Sequence, residues 1–225
     1  SGGWLSDHAP PTAIAAAPAA AKGKARVFVG ADLFECGAAF IGLDEGGRKV
    51  WQWTRGGAPV IAANERHVFV GMPATGGMSL VRIDPTIGRE APFAPGKIDI
   101  PLGARATGLA AAKHAVAVSI ATQNRVVLYS AATGDKTKEF SVASPGRLAF
   151  TADGATLIGV SGKELFRVEV GSGKATTFRP DGVKSPVAVA IGPGGGLFVA
   201  DNDSHSVRIF DTVAAEKKFG TLGEP

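Results

Sequence analysis

The chain has 225 residues, enough to bury a substantial core as one large domain or two small ones. Its 24 basic and 20 acidic residues give a net charge of +4, and the basic residues are scattered along the chain. This scatter argues against a nucleic-acid partner, and no apolar run is long enough to predict a membrane span.

Glycine and proline separate short apolar runs along the whole chain. The 31 glycines and 14 prolines fall at regular intervals between these runs, as turn residues do. No segment has a sustained 3.6-residue apolar period of helical length. The single cysteine, Cys36, excludes an internal disulfide and a multi-cysteine metal site. The pattern therefore predicts short strands joined by turns.

In chain order, a polar lead-in at 1–11 precedes five sets of about four strands each. The second strands give the clearest register, because Phe28, Phe69, Val116, Leu157 and Phe198 are separated by 41, 47, 41 and 41 residues. The predicted sets are residues 12–55, 58–100, 106–142, 146–180 and 185–223.

A four-stranded unit that recurs at about 40 residues is typical of β-propeller blades. The sequence predicts an all-β fold, a β-propeller built from about five four-stranded antiparallel blades in a single domain over 1–225. The first strands are rich in alanine, as expected where innermost strands crowd together. Two arrangements stay open, a closed ring of five blades or five blades of a larger ring.

Two further sets of residues are candidate binding sites. Trp51 and Trp53 point to one face of the fourth strand of blade 1, and we expect them to pack against a neighbouring blade rather than hold a ligand. His67 and His114 begin equivalent second strands, where they face blade edges more naturally than a common metal site.

The strongest motif lies in the last blade. An apolar strand and a Pro/Gly turn lead to a strand that ends at Ala200-Asp201; a polar loop with His205 and a strand with Arg208 follow. Residues 186–211 thereby resemble an NHL repeat, and the first two blades match it in part. The resemblance implies a propeller over nearly the whole chain but no particular activity, since NHL-like propellers include protein-binding modules, RNA-binding modules and secreted enzymes.

The loops between second and third strands are predicted to lie on one rim. The last blade places a polar cluster there at 201–205, and the first blade contributes acidic residues beside Cys36. The predicted binding residues of the rim are Asp32, Glu35, Asn124, Glu164, Asp201, Asn202, Asp203 and His205.

The polar cluster has two possible roles. Oxygens of Asp201, Asn202 and Asp203 suit Ca²⁺, although one loop supplies few ligands. The NHL resemblance implies instead that Asp201 and His205 bond the turn between the strands. We favour the second interpretation, and no cofactor, metal ligand or catalytic residue is predicted, with Ca²⁺ kept as the alternative.

These features predict a rigid, non-catalytic scaffold that takes a protein or small-molecule ligand at the rim. The competing hypothesis is a metal-dependent hydrolase or lyase of the lactonase-like propeller type at the same rim. A third is a fragment or an engineered set of repeats, and open blade edges would allow self-association. No targeting segment is visible, and an extracellular or periplasmic location is slightly favoured.

Overall fold

The computed structural model describes residues 11–16, 27–33, 37–55, 60–74, 77–92, 106–192, 194–210 and 218–222. These residues form five four-stranded antiparallel sheets, each with its strands in sequence order. The prediction of an all-β propeller with five blades is therefore confirmed. Within the described residues no helix has the length and apolarity of a membrane span.

The chain divides into two compact units, and the single domain over 1–225 stays a prediction. Unit 1 consists of residues 1–105 with 133–135, and unit 2 consists of residues 106–132 with 136–225. Unit 1 holds two complete blades. Blade 1 contains β1 (Pro11–Ala16), β2 (Val27–Leu33), β3 (Gly37–Leu43) and β4 (Lys49–Arg55); blade 2 contains β5 (Val60–Ala63), β6 (Val68–Ala74), β7 (Gly77–Ile83) and β8 (Glu90–Pro92).

Unit 2 holds the other three sheets. Blade 3 contains β9 (Gly108–Ala111), β10 (Ala115–Ile120), β11 (Arg125–Ser130) and β12 (Lys136–Ser141), with the 3₁₀ turn η1 at Ala121–Gln123. Blade 4 contains β13 (Pro145–Phe150), β14 (Thr156–Ser161), β15 (Glu164–Glu169) and β16 (Ala175–Phe178). Blade 5 contains β17 (Pro186–Ile191), β18 (Leu197–Asp201), β19 (Ser206–Phe210) and β20 (Lys218–Leu222).

In unit 1 the core lies between the two blades. Phe28 and Phe40 of blade 1 pack in one buried cluster with aliphatic residues of blade 2, among them Ile61 and Val70. Trp51 stacks on Phe28, and its indole N–H donates to the carbonyl oxygen of Pro85 in blade 2 at 2.9 Å. The predicted docking of Trp51 on a neighbouring blade is confirmed, because that side chain joins the two sheets.

In unit 2 the first strands of blades 3 and 4 approach closely. A Cβ added to Gly108 would collide with the carbonyl oxygen of Gly146, so the contact requires glycine. The fully buried hydroxyl of Ser119 donates to that same oxygen at 2.6 Å. The lack of a side chain at Gly108 therefore lets these two strands approach.

Local hydrogen bonds hold the turn after the third strand of blade 1. In blade 1 the Asp44 carboxylate accepts the backbone N–H groups of Gly46 at 2.9 Å and Arg48 at 2.8 Å. Gly47, with a φ of 74°, supplies the left-handed residue of this turn. Such local bonds fix the hairpin without help from other blades.

Candidate functional site

The candidate site of unit 2 is built from turns at corresponding ends of three sheets. Blades 3, 4 and 5 share one strand order, and their first strands are neighbours. Turns between second and third strands therefore emerge at the same end as the links that enter the first strands. We call these segments, residues 121–124, 143–144, 162–163, 184–185 and 201–205, the unit-2 rim.

Asp201 joins two segments of the unit-2 rim in blade 5. Its side chain is only 2% exposed at the end of β18. One carboxylate oxygen accepts the N–H of Lys184 at 2.9 Å, and the other accepts those of Ser185 at 3.0 Å and Asp203 at 3.2 Å. The carboxylate thereby ties the end of the second strand to the segment that enters the first strand.

These bonds also explain the acidity of Asp201. Burial by itself raises the pKa of this carboxyl, but the N–H groups of Lys184 and Ser185, with smaller help from Ser204 and Asp203, outweigh burial and hold the pKa below its ordinary value. Asp201 is therefore a charged residue used by the fold, as the resemblance to an NHL repeat implied for it.

Three of the remaining residues of this turn present their side chains to solvent. Asn202, Asp203 and His205 are exposed, in contrast to Asp201. His205 has a left-handed φ of 48°, and its backbone N–H donates to the carbonyl oxygen of Asn202 at 3.3 Å. His205 thus shapes the turn through its backbone, and the side chains of Asn202, Asp203 and His205 project from a backbone that Asp201 holds in place.

In blade 4 a serine hydroxyl makes the equivalent hydrogen bond to the entry segment. Ser161 and Asp201 each pair with the proline that begins the first strand of their blade, Pro145 and Pro186. The buried Ser161 hydroxyl donates to the carbonyl oxygen of Ala143 at 2.6 Å. The second strands of blades 4 and 5 are therefore fixed to their entry segments by opposite hydrogen-bond polarities.

Asn124 connects the turn of blade 3 to blade 4. Its side-chain oxygen accepts the N–H of Ser144 at 2.8 Å, and the carbonyl of Ser144 accepts the N–H of Gly162 at 3.4 Å. Asn124 and Ser144 are both left-handed, with φ values of 50° and 42°. This conformation is uncommon for residues with a side chain, so the rim holds a strained but bonded junction.

The other predicted residues do not join this network. Glu164 begins β15, pairs with Ser161 across the hairpin and is exposed. Asp32 lies within β2 of unit 1, paired with Ala38, so its predicted position in a loop was wrong, because β2 continues through Asp32 to Leu33. Glu35 and Cys36 lie outside the described residues. In blade 2, β6 extends to Ala74 and β7 begins at Gly77.

The two histidines that begin second strands differ in exposure. His67 is half-buried with its ring edge against Phe69, and its pKa is lowered first by burial and then by Arg82. His114 is exposed. Across the part of the chain that the structure describes, no three histidine, cysteine, aspartate or glutamate residues are grouped so that they could hold a metal ion.

Sequence reasoning missed the entry segments of the rim. Ser144-Pro145 and Ser185-Pro186 precede the first strands of blades 4 and 5 and are 41 residues apart. This Ser-Pro repeat was a signal that could have located them, because Ser-Pro favours the start of a turn. The acceptor of each serine backbone N–H lies at or next to the end of a different strand, so only the folded structure identifies it.

Comparison with protein families identifies one segment. Residues 184–210 match the NHL repeat family, which confirms the resemblance stated for the last blade. No curated protein sequence matches the chain.

Solved structures with the same fold match between 81% and 94% of this chain at low sequence identity. A nidogen/laminin complex is 15% identical, with a TM-score of 0.68, over 94% of this chain and 79% of that chain. The RRP9 WD40 repeats are 13% identical, with a TM-score of 0.66, over 94% of this chain and 62% of that chain. Virginiamycin B lyase from Staphylococcus aureus is 18% identical, with a TM-score of 0.59, over 81% of this chain and 62% of the lyase. At these identities the comparison establishes the β-propeller fold alone.

Proposed function

Because residues 184–210 are an NHL repeat within a β-propeller fold, we propose that the chain is a non-catalytic scaffold that binds a protein at the unit-2 rim. The observation that carries the proposal is the division of labour within one turn. Asp201 is buried and satisfied by three backbone N–H groups, whereas Asn202, Asp203 and His205 are exposed on the base that it fixes. Rigidly held polar tips bind at a low cost in conformational entropy.

The second support comes from the proteins that share the fold. One neighbouring structure is a nidogen/laminin complex, and another is formed by WD40 repeats. A protein ligand is therefore the class that we place first, ahead of a small molecule. A rim made of turns suits this role, since turns can change their side chains without disturbing the strands beneath.

Selection of peptides from a displayed library tests the proposal. Peptides selected on the wild-type chain should bind the double variant Asp203→Ala, His205→Ala at least roughly tenfold more weakly, because truncating contact residues commonly costs more than 1 kcal/mol. Lys174→Ala, in the turn after the third strand of blade 4, is the matched exposed control and should leave binding unchanged. Selected peptides that bind the rim variant as well as the wild type would disprove rim binding.

The second candidate function is a metal-dependent lyase or hydrolase at the same rim. It is favoured by the fold shared with virginiamycin B lyase and by exposed Glu164 on the rim side of blade 4. This function requires Ca²⁺ or Zn²⁺ to remain bound in stoichiometric amount after dialysis, and the Glu164→Ala variant must lose it. Mass-spectrometric metal analysis of both proteins decides between the candidates, because equal metal content removes the enzyme hypothesis.

A further inference from the structure

Each blade carries one aliphatic or aromatic residue at the same position of its third strand. The residues of blades 1 to 5 at this position, identified by their pairing across the second strand, are Phe40, Leu80, Val126, Leu165 and Val207. The first four are at most 2% exposed, whereas Val207 is 42% exposed. We call this side of a blade its forward face, because Phe40, Val126 and Leu165 pack there against the next blade.

On the opposite side of each blade, the equivalent residues are again buried in four blades, and here the exposed one lies in blade 1. The equivalent first-strand residues are Ile14, Ile61, Leu109, Leu148 and Val189. The last four are between 7% and 9% exposed, whereas Ile14 is 72% exposed. We call this side the backward face, since Ile61, Leu148 and Val189 pack there against the preceding blade.

The forward face of blade 5 is apolar beyond Val207. Strand pairing places Ala188, Ala200 and Val207 side by side, and places Ala190, Phe198 and Ile209 side by side in the next row. None of these six residues is charged, and Val187 beside them is 51% exposed. In blade 4 the equivalent side chains Ile158, Val160 and Leu165 are buried in the cluster shared with blade 5. Blade 5 therefore presents a surface of the type that elsewhere receives another blade.

We propose that the forward face of blade 5 binds the backward face of blade 1 in a second copy of this chain. The contacts between blades 1 and 2, 3 and 4, and 4 and 5 all join a forward face to a backward face. The partner of Val207 must therefore offer an exposed aliphatic residue in the register of Ile61, Leu148 and Val189. Among the residues that the structure describes, Ile14 alone combines that register with exposure.

This association uses sheet faces and is separate from the rim and from strand edges. The alanines around Val207 leave room for a larger side chain, which is the size relation seen where Ala110 and Ala117 share a cluster with Leu148 and Leu157. The contact joins one face from each copy, and burial of apolar surface drives it.

Light scattering over a range of concentrations tests for the association. We expect the wild-type mass to rise from monomer to dimer with concentration, and Val207→Asp to weaken dimerisation by roughly tenfold or more, because it places a charge in an apolar contact. Ile87→Asp is the matched control, since Ile87 is also an exposed aliphatic residue, at 56%, but lies in a turn of blade 2. Circular dichroism confirms that both variants are folded. A wild type that stays monomeric at all concentrations overturns the proposal.

Disulfide trapping then tests which faces meet. In a Cys36→Ser background, a chain with Ile14→Cys mixed with a chain with Val207→Cys should form a disulfide-linked dimer, whereas neither chain alone should do so efficiently. Linkage only within a single chain that carries both substitutions would overturn the proposal. The rim variant Asp203→Ala, His205→Ala should dimerise like the wild type, so this result and the peptide-binding result fail or succeed separately.

Discussion

Blades 4 and 5 use different side chains to hold the same rim position. In blade 4 the Ser161 hydroxyl donates one hydrogen bond to the carbonyl of Ala143. In blade 5 the Asp201 carboxylate accepts three backbone N–H groups, those of Lys184, Ser185 and Asp203. The strands they terminate have the same topology and the same pairing with a proline. Both blades therefore hydrogen-bond the end of the second strand to the segment that enters the first strand, but they use different side chains to do so.

The two side chains differ in how many segments of the rim they hold in place. The carboxylate organises two separate segments, the entry at 184–185 and the turn at 201–205, whereas the serine organises only its entry segment. Hydrogen bonds to a charged group are also stronger than neutral ones. The longer polar turn of blade 5 can therefore be held as rigidly as the two-residue turn at 162–163 in blade 4.

The largest effect in this comparison is expected for Asp201→Ala. The substitution leaves three N–H groups without their acceptor, and we expect a loss of about 3 kcal/mol of unfolding free energy. Urea denaturation followed by circular dichroism measures it. Asp203→Ala, which removes an exposed carboxylate from the same turn, is the control and should change stability by about 0.5 kcal/mol or less. A loss for Asp201→Ala no greater than that control would mean that the carboxylate does not hold the rim.

The sequence predicted the strands and the role of Asp201 but not its counterpart in blade 4. Alternating apolar runs and glycine or proline turns define the strands locally, and the NHL pattern marks Asp201. Ser161 is an ordinary residue at a strand end, and its bond depends on where the Ala143 carbonyl lies in the folded blade. Ile14 and Val207 likewise resemble their equivalents in sequence, so only the fold reveals that both are exposed.

A smaller effect is expected for Ser161→Ala. The variant loses one donor, and the Ala143 carbonyl sits near the exposed link at 143–144, so we expect a loss of about 1 kcal/mol. The same denaturation experiment measures this value beside that of Asp201→Ala. Equal losses in the two variants would remove the proposed distinction between a single neutral bond and a set of bonds to a charged group.

The smallest effect is a difference in pH dependence. The pKa of Asp201 is lower in the folded chain than in the unfolded chain, so its contribution to stability is present above the unfolded pKa of about 3.9 and is lost as the pH falls through the folded pKa. The stability difference between the wild type and Asp201→Asn should therefore shrink in acid. The difference between the wild type and Ser161→Ala should stay constant, because the serine hydroxyl neither gains nor loses a proton over this pH range. Urea denaturation of the three proteins from about pH 7 to about pH 3 measures both differences. A constant difference for Asp201→Asn would contradict the view that a charged carboxylate stabilises blade 5. The rim hydrogen bonds of blades 4 and 5 would then have the same pH dependence.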